Sequence, residues 1–520
     1  MASLELFARW REKKLLPPAD AVNEARGRAY GLTPEAALVQ YAMTGCLNTT
    51  FYASDETQLS NVLGLVDKLP AEFIARVAIL ARERGHMKDM PALLTAVLAA
   101  TDTEIFERVF PRTIDNGKML RNFVQMIRSG ALPRRSFGTV VKRSIQEWLE
   151  ARPDRALIHD SVGARPSLAD IIKMVHPKPA NRERAALYGY LIGKAGVDLT
   201  LLPEAIREFE AFKKTPGDQL PDVPFAWLTS QTLTPAHWAV IAKRAPWQMA
   251  RMNLNSFARH DVFKKTDNVK VVRERLEDAD QVRKSRVFPY QLMMARQNLT
   301  EGVPAEIGRA LDNALEIALE NVPSFTGQVY LCTDVSGSMQ SPVTGYRAVI
   351  SKVRCVDVAA LFAAAILRKN PGARVLPFAE RVVSVKLKAE DSVMKNAGRL
   401  AAIYGGGTNC SAPLAWLNAH RAMGELVVYI SDNESWMDSS GSSPQATKTQ
   451  REWVKFKERN PRARLVNIDI QPNRTVQAKT SPDVLNVGGF SDQVFNVVHQ
   501  FASGEADGEH WLKEMSQIVI

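Results

Sequence analysis

Cysteine is scarce in this chain: four residues in 520, at Cys46, Cys332, Cys355 and Cys410. No two form a C-x-x-C pair and none clusters with histidine, so a zinc ribbon and a disulfide framework both lack support. That usage fits a reducing compartment, and the cytoplasm is the expected location. Long apolar runs are also missing. Nothing approaches the ~18 consecutive apolar residues that a membrane span requires, and the stretch MASLELFARWREKKLL carries charges from its first residues. It reads as a short amphipathic helix and not as a secretory signal, so no membrane partner is expected. The signatures of common enzymes are absent too: there is no G-x-S-x-G, no P-loop and no H-E-x-x-H. The glycine turn YGGGTN (404–409) has no lysine to hold a phosphate. No catalytic residue is assigned and the chain is not expected to be an enzyme.

Strand signal is nearly lacking over the first 320 residues. Apolar residues recur there at helical spacing, as in LSNVLGLVDKLP, EFIARVAILARERG and MPALLTAVLAA. Prolines and glycines punctuate these short segments, and Thr33-Pro34 and Thr234-Pro235 read as caps with proline in the first turn. Successive helix pairs that bury their apolar faces on one another imply an α-solenoid. From about residue 321 the pattern alternates. Strands are predicted at 328–334, 373–379, 425–431 and 463–469, with helices at 351–369, 411–423 and 447–459 between them. That alternation predicts a doubly wound parallel sheet. The expected organisation is a helical-repeat domain over 1–322 followed directly by an α/β domain over 323–520. The polar stretch MDSSGSSPQ (437–445) reads as a mobile loop.

The most informative stretch is VYLCTDVSGSM (329–339). An apolar strand ends at Asp334 and is followed by Ser336 and Ser338 at alternating positions, which points a carboxylate and two hydroxyls at one place. Thr408 lies in the glycine turn, and Asp432 follows the apolar strand LVVYIS (426–431). All three segments converge outside the carboxyl ends of the predicted sheet, where open α/β folds bind ligands. A set made only of oxygen donors suits a hard divalent cation, Mg²⁺ above all.

Composition is otherwise that of a globular protein, with a formal net charge of +11 and a pI near 9.4. The excess is spread over both halves, so any polyanion surface is expected to be folded and not a basic tail. One helical region is strongly basic. It runs from PRRSFGTVVKRSIQEWLEARPDR (133–155) to ADIIKMVHPKPANRER (169–184), with Val140, Val141, Ile145, Trp148, Leu149, Ile171, Ile172 and Val175 facing inward. The second helix is expected to stop at His176, before Pro177. Basic groups gathered at the ends of adjacent helices suit phosphate contacts, and a histidine among them can stack on a base.

The metal motif resembles the metal-ion-dependent adhesion site (MIDAS) of a von Willebrand factor A domain, with Asp334, Ser336, Ser338, Thr408 and Asp432 matching in order. The whole chain resembles the Ro ribonucleoprotein family, defined by the TROVE module. The similar segments are RRSFGTVVKRSIQEWL, DIIKMVHPKP, VFPYQLMMARQ, DVSGSM, GGGTNCSAPL, SDNESW and NVGGFSDQVFNVV. The resemblance implies a HEAT-like helical ring closed by the A domain and acting as a monomer. It implies small noncoding Y RNAs on the basic outer surface, single-stranded 3′ ends of misfolded RNA in a central hole, and a role in RNA quality control. In bacteria it implies cooperation with a 3′-to-5′ exoribonuclease. Carried to this sequence, the RNA contacts fall on Arg135, Lys142, Arg143, Lys173, His176 and Lys178. Charge and proximity add Arg182 and Arg184. The glycine turn departs from the common GGTD by having Asn409, which lowers the site's negative charge and predicts weaker metal affinity. A competing reading is a protein-interaction adaptor that grips an acidic partner through the metal, with the helical repeats as a groove.

Overall fold

The computed structural model describes residues 16–44, 47–134, 136–320, 322–343, 353–437, 445–489 and 492–520. The helix expected at the first residues, Cys46, Arg135 and most of the polar loop at 437–445 fall outside them.

The first 320 residues fold mainly as short helices. Their placement follows from apolar spacing and from caps. In Gly117–Arg128, Met119, Leu120, Phe123, Val124 and Ile127 line one buried face, and the Asn116 side chain accepts a hydrogen bond from the Met119 amide. Phe106, Phe110 and Phe123 pack together with ring centroids 5.2–5.8 Å apart, a spacing that favours tilted and offset aromatic pairs. Thr234 caps Pro235–Arg244 in a reciprocal bond with His237, as the Thr-Pro sequence predicts.

The α/β half is built on a sheet that, among the described residues, has five strands, all parallel. With strands numbered in chain order through the molecule, β1 is Ala21–Val22, β2 Arg28–Gly31, β3 Val329–Thr333, β4 Arg374–Val375, β5 Leu426–Ser431, β6 Arg464–Asp469, β7 Thr475–Val476 and β8 Val484–Gly488. The sheet order is β4-β3-β5-β6-β8. Every residue of β3 and β5 is buried, which is why both read as continuous apolar runs. The helices Cys355–Lys369, Ala412–Ala419 and Lys448–Arg459 alternate with the strands.

Three features differ from the sequence reading. The strand predicted at 373–379 shrinks to Arg374–Val375, because it is an edge strand and Pro377 has no N–H to donate to a ladder. The helices Val393–Ala401, Asp492–Ser503 and His510–Ser516 and the edge strand β8 were not predicted. The helical half is also not purely α: β1 and β2 pair with each other and β2 pairs with β7, forming a small antiparallel sheet with the far end of the chain.

The helical array meets the α/β half at both of its ends. At one end Pro34–Thr44 packs on β8, and the C-terminal helix His510–Ser516 packs on Ala71–Glu83. At the other, Pro289–Gln297 packs on Cys355–Lys369. Between them the helices contact one another in succession, from Ala71–Glu83 and Asp89–Thr101 through Gly117–Arg128 and Leu168–Val175. Rings at Tyr190, Trp227 and Phe209, and at Phe225 and Trp238, bridge the middle. The array reaches Ala305–Ala318 through Thr266–Glu277. Repeats and sheet therefore close into a ring.

Candidate metal centre and basic helix ends

The metal motif is assembled by strand register. β3 and β5 are parallel neighbours with Thr333 opposite Ile430, so the residues that follow each strand emerge side by side. The Asp334 amide donates to the Ile430 carbonyl at 3.0 Å. The Ser431 hydroxyl donates to Asp334 Oδ2 at 2.5 Å, and the Ser336 amide donates to Oδ1 at 2.9 Å. The Ser336 and Ser338 hydroxyl oxygens are 3.3 Å apart. The glycine turn is pinned onto this loop: the Gly405 amide donates to the Val335 carbonyl at 3.0 Å and the Gly337 amide to the Gly406 carbonyl at 2.9 Å. A Cβ on Gly405 would lie 2.3 Å from that of Ala379, which excludes a side chain there, and one on Gly407 would lie 2.1 Å from Trp436 Nε1 and displace that ring. The Thr408 carbonyl accepts from the Ser435 hydroxyl and the Trp436 amide, each at 3.4 Å. Asp334, Ser336, Ser338, Thr408 and Asp432 are all buried, and the structure brings their three segments together.

Burial sets the electrostatics. It raises the Asp334 carboxyl above its ordinary range, against the hydrogen bonds from Ser336 and Ser431. It also raises Asp432 to about 7, with the Asp334 charge adding to the effect. Glu434 is pushed up to about 8 by burial and then by Asp432. Anionic carboxylates held out of water beside one another favour a cation between them. Among the described residues no group of three His, Cys, Asp or Glu side chains forms a metal cage. The donors here are two carboxylates and three hydroxyls, a hard-oxygen set that fits Mg²⁺ and not zinc. Asn433 takes φ 62°, a left-handed conformation that asparagine tolerates better than most residues. It turns the loop so that Asp432 faces the site while its own amide donates to the Ser431 hydroxyl at 2.9 Å. Asn409 is structural: its Oδ1 accepts from the Ser411 hydroxyl at 2.7 Å, and its Nδ2 donates to the Glu380 carbonyl at 3.1 Å.

The first residues of the helical half border the same site. The Ala25 amide donates to Glu434 Oε2 at 3.0 Å, and Asn23 Nδ2 donates to the Ser435 carbonyl at 2.8 Å. Tyr52 lines the same cleft as Asp432, close to Ser338; burial, then the Asp432 charge, raises its hydroxyl above the ordinary phenol value. A cleft lined by Phe51, Tyr52, Ser341, Asp432, Glu434 and Arg474 runs between the two halves.

The basic region lies on other elements than the candidate metal site. His176 ends the helix Leu168–Val175 in a left-handed conformation, φ 50°, and its amide donates to the Ile172 carbonyl at 2.9 Å. Gln146 Nε2 from the neighbouring helix donates to the Val175 carbonyl at 2.6 Å, which holds that helix end in place. Lys173, His176, Lys178 and Arg182 are exposed on this end. The remaining basic residues are placed differently. Arg143 is paired with Glu107 and lies 3.9 Å from Glu147. Lys142 is half-buried. Arg184 turns inward: its Nη2 donates to the Arg152 carbonyl at 2.8 Å and sits 3.2 Å from Asp154. Val141, Ile145, Trp148, Leu149, Ile171, Ile172 and Val175 are buried as the periodicity predicts, whereas Val140 is half-buried.

Residues 229–327 match the TROVE domain, and residues 328–502 match the Ro60 vWA domain. The two matches run on without a gap and take in more than half of the chain. A curated relative, the RNA-binding protein RO60 of Deinococcus radiodurans, is 24% identical over 93% of this chain and 95% of its own length. The chain belongs to the Ro family. The RNA-binding protein RO60 of Caenorhabditis elegans is 24% identical over 46% of this chain and 37% of its own length. The crystal structure of the D. radiodurans Ro (RSR) protein overlays with a TM-score of 0.61 at 22% identity, covering 91% of this chain and all of that one, so the two share the fold. Within this Ro chain, Ser431, Glu434 and Tyr52 border the candidate metal centre without having been foreseen. Ser431 and Glu434 stand in the SDNESW segment itself, so that motif could have indicated them. Tyr52 has no local signal, because a loop from the other half of the chain brings it there.

Proposed function

We propose that this Ro protein binds RNA through the exposed helix ends at Lys173, His176, Lys178 and Arg182. In this reading a small structured, Y-like noncoding RNA lies on that outer surface. Single-stranded 3′ ends of misfolded RNA enter the ring, and the protein acts in noncoding-RNA quality control beside a 3′-to-5′ exoribonuclease. It works by binding, without chemistry of its own, as a cytoplasmic monomer. The observation that carries the reading is the exposure of four basic side chains around one helix end, beside Arg184, which the fold has taken for itself. Cationic groups fixed by rigid helices position a phosphate backbone without reading its sequence. The relatives named RNA-binding protein RO60 support the same assignment. Asp334, Ser336, Ser338, Thr408 and Asp432 would hold Mg²⁺ in the A domain, where the ion neutralises buried carboxylates.

The test is to sequence the RNA that co-purifies with the protein and with a His176→Ala, Lys178→Ala variant. One or two small structured RNAs, recovered with the wild type and lost from the variant, is the expected result. The same RNAs on both proteins would remove this helix end from the contact surface. No RNA above background would refute the RNA reading.

A further inference from the structure

The metal motif of an adhesion-type A domain has a mouth, and here that mouth faces the protein's own helical half. Tyr52 lines the same cleft as Asp432 and Glu434, with its hydroxyl close to the Ser338 side chain. Tyr52 does not dangle from a loose loop. Thr50 and Ala53 close a tight turn, with the Thr50 amide donating to the Ala53 carbonyl at 2.8 Å and the Ala53 amide to Thr50 Oγ1 at 3.2 Å. The Gln58 amide holds the Asn48 carbonyl at 2.8 Å, and Ser54 caps the helix Asp55–Val66 that carries the turn. The Phe51 ring braces the Tyr52 ring edge-on, with centroids 4.8 Å apart. On the opposite side of the cleft, residues 23–27 grip the loop after Asp432. The Ala25 amide holds Glu434 and Asn23 holds the Ser435 carbonyl. Gly27 comes so close that a Cβ there would lie 2.0 Å from the Ser435 oxygen. The loop carrying Asp432 is thus held by residues 23–27 and faced across the cleft by Tyr52.

We propose that the metal centre is an internal clasp. Tyr52 fills the mouth over Ser338 and Asp432 that an acidic partner would otherwise enter, and a divalent cation bound there fastens the first turns of the helical array to the A domain. This rests on the metal reading of the site. A neutral phenol is suited to the place: it can hydrogen-bond to a carboxylate or to a metal-bound water, and it brings no charge to compete with the ion. The clasp sits at one of the two seams where the array meets the A domain, so the cation couples the metal loop to closure of the ring.

Three measurements on the full chain test it. Calorimetry with MgCl₂ reads metal binding. Hydrogen exchange with Mg²⁺ or with EDTA reads the seam at residues 23–27 and 48–54. A fluorescein-labelled polyglutamate peptide probes whether the mouth is open. In the wild type, Mg²⁺ should bind, exchange at both segments should slow, and the peptide should not bind. Tyr52→Phe, which keeps the ring and removes only the hydroxyl, should still bind Mg²⁺ but lose about three- to tenfold of the protection at 48–54, the weight of one hydrogen bond. Tyr52→Ala should gain peptide binding that EDTA abolishes. Mg²⁺ binding without protection of 48–54 would overturn the clasp and leave the metal site standing, as would Mg²⁺-dependent peptide binding by the wild type. No heat with MgCl₂ would overturn both.

Discussion

Arg184 and Lys178 show how two basic residues a few positions apart take opposite roles. Arg184 donates to the Arg152 carbonyl, lies against Asp154 and stacks over Tyr188 with 5.8 Å to the ring centroid. Replacing it with alanine strips a part-buried carbonyl and an aspartate of their partner. Arg184→Ala should therefore lower stability by about 1.5–3 kcal/mol, read as a fall in the denaturant midpoint. Lys178 is exposed. Lys178→Ala should leave that midpoint unchanged, weaken RNA binding across sequences and reduce the slope of log K against log salt by about one. If the two variants exchanged behaviours, the assignment of the surface would be wrong. Asp432 gives a second contrast. Its carboxylate is buried beside that of Asp334, so Asp432→Asn removes a like-charge repulsion as well as a ligand. The variant should be more stable than the wild type in EDTA, because burying uncompensated charge is costly, and it should show no thermal shift with Mg²⁺. A variant less stable in EDTA would mean that the carboxylate serves a structural bond and not an ion.

At the scale of elements, the parts that could be read from the sequence are those whose pattern is local. β3 and β5 are wholly buried, so each appears as an apolar run that ends at its metal-site residues. The helix Leu168–Val175 stops at His176, where the following proline predicts it. The parts that could not be read are short and made by distant partners. β2 has four residues and β7 two, and they pair across more than 400 positions. No alternation can show in segments that short. The charge of Arg182 and Arg184 reads alike in sequence, and only the packing against Arg152 and Asp154 separates them. The same seam gives an element-scale prediction. A Gly27→Val substitution puts a branched side chain where even a Cβ would overlap the Ser435 carbonyl. It should displace β1 and β2 from the A domain, expose the chain near residue 27 to protease and lower the thermal midpoint. Unchanged proteolysis would show that this close approach carries no weight in the docking.

Across the whole molecule, the two sites lie on different parts of a closed circuit, and that separation makes their ion dependences opposite. RNA held by Lys173, His176, Lys178 and Arg182 is held through counterion release, so its affinity should fall steeply with monovalent salt. The candidate metal residues are buried, where screening by salt is weak, so if Mg²⁺ binds there as proposed it should raise the thermal midpoint nearly as much at high monovalent salt as at low. EDTA should then lower the midpoint while RNA stays bound to the outer helix ends, as measured by filter binding at fixed ionic strength. The seam sharpens the expectation for RNA that must enter the ring. If closing the seam against the A domain narrows passage into the ring, chelation should speed the entry of a single-stranded 3′ end and leave equilibrium binding of a structured RNA unchanged. Stopped-flow association of a 3′-tailed RNA and of the same RNA without its tail, each with Mg²⁺ and with EDTA, separates the two. Equal rates for the tailed RNA under both conditions would show that the seam does not gate entry. Loss of both RNAs on chelation would place the metal within the RNA surface itself.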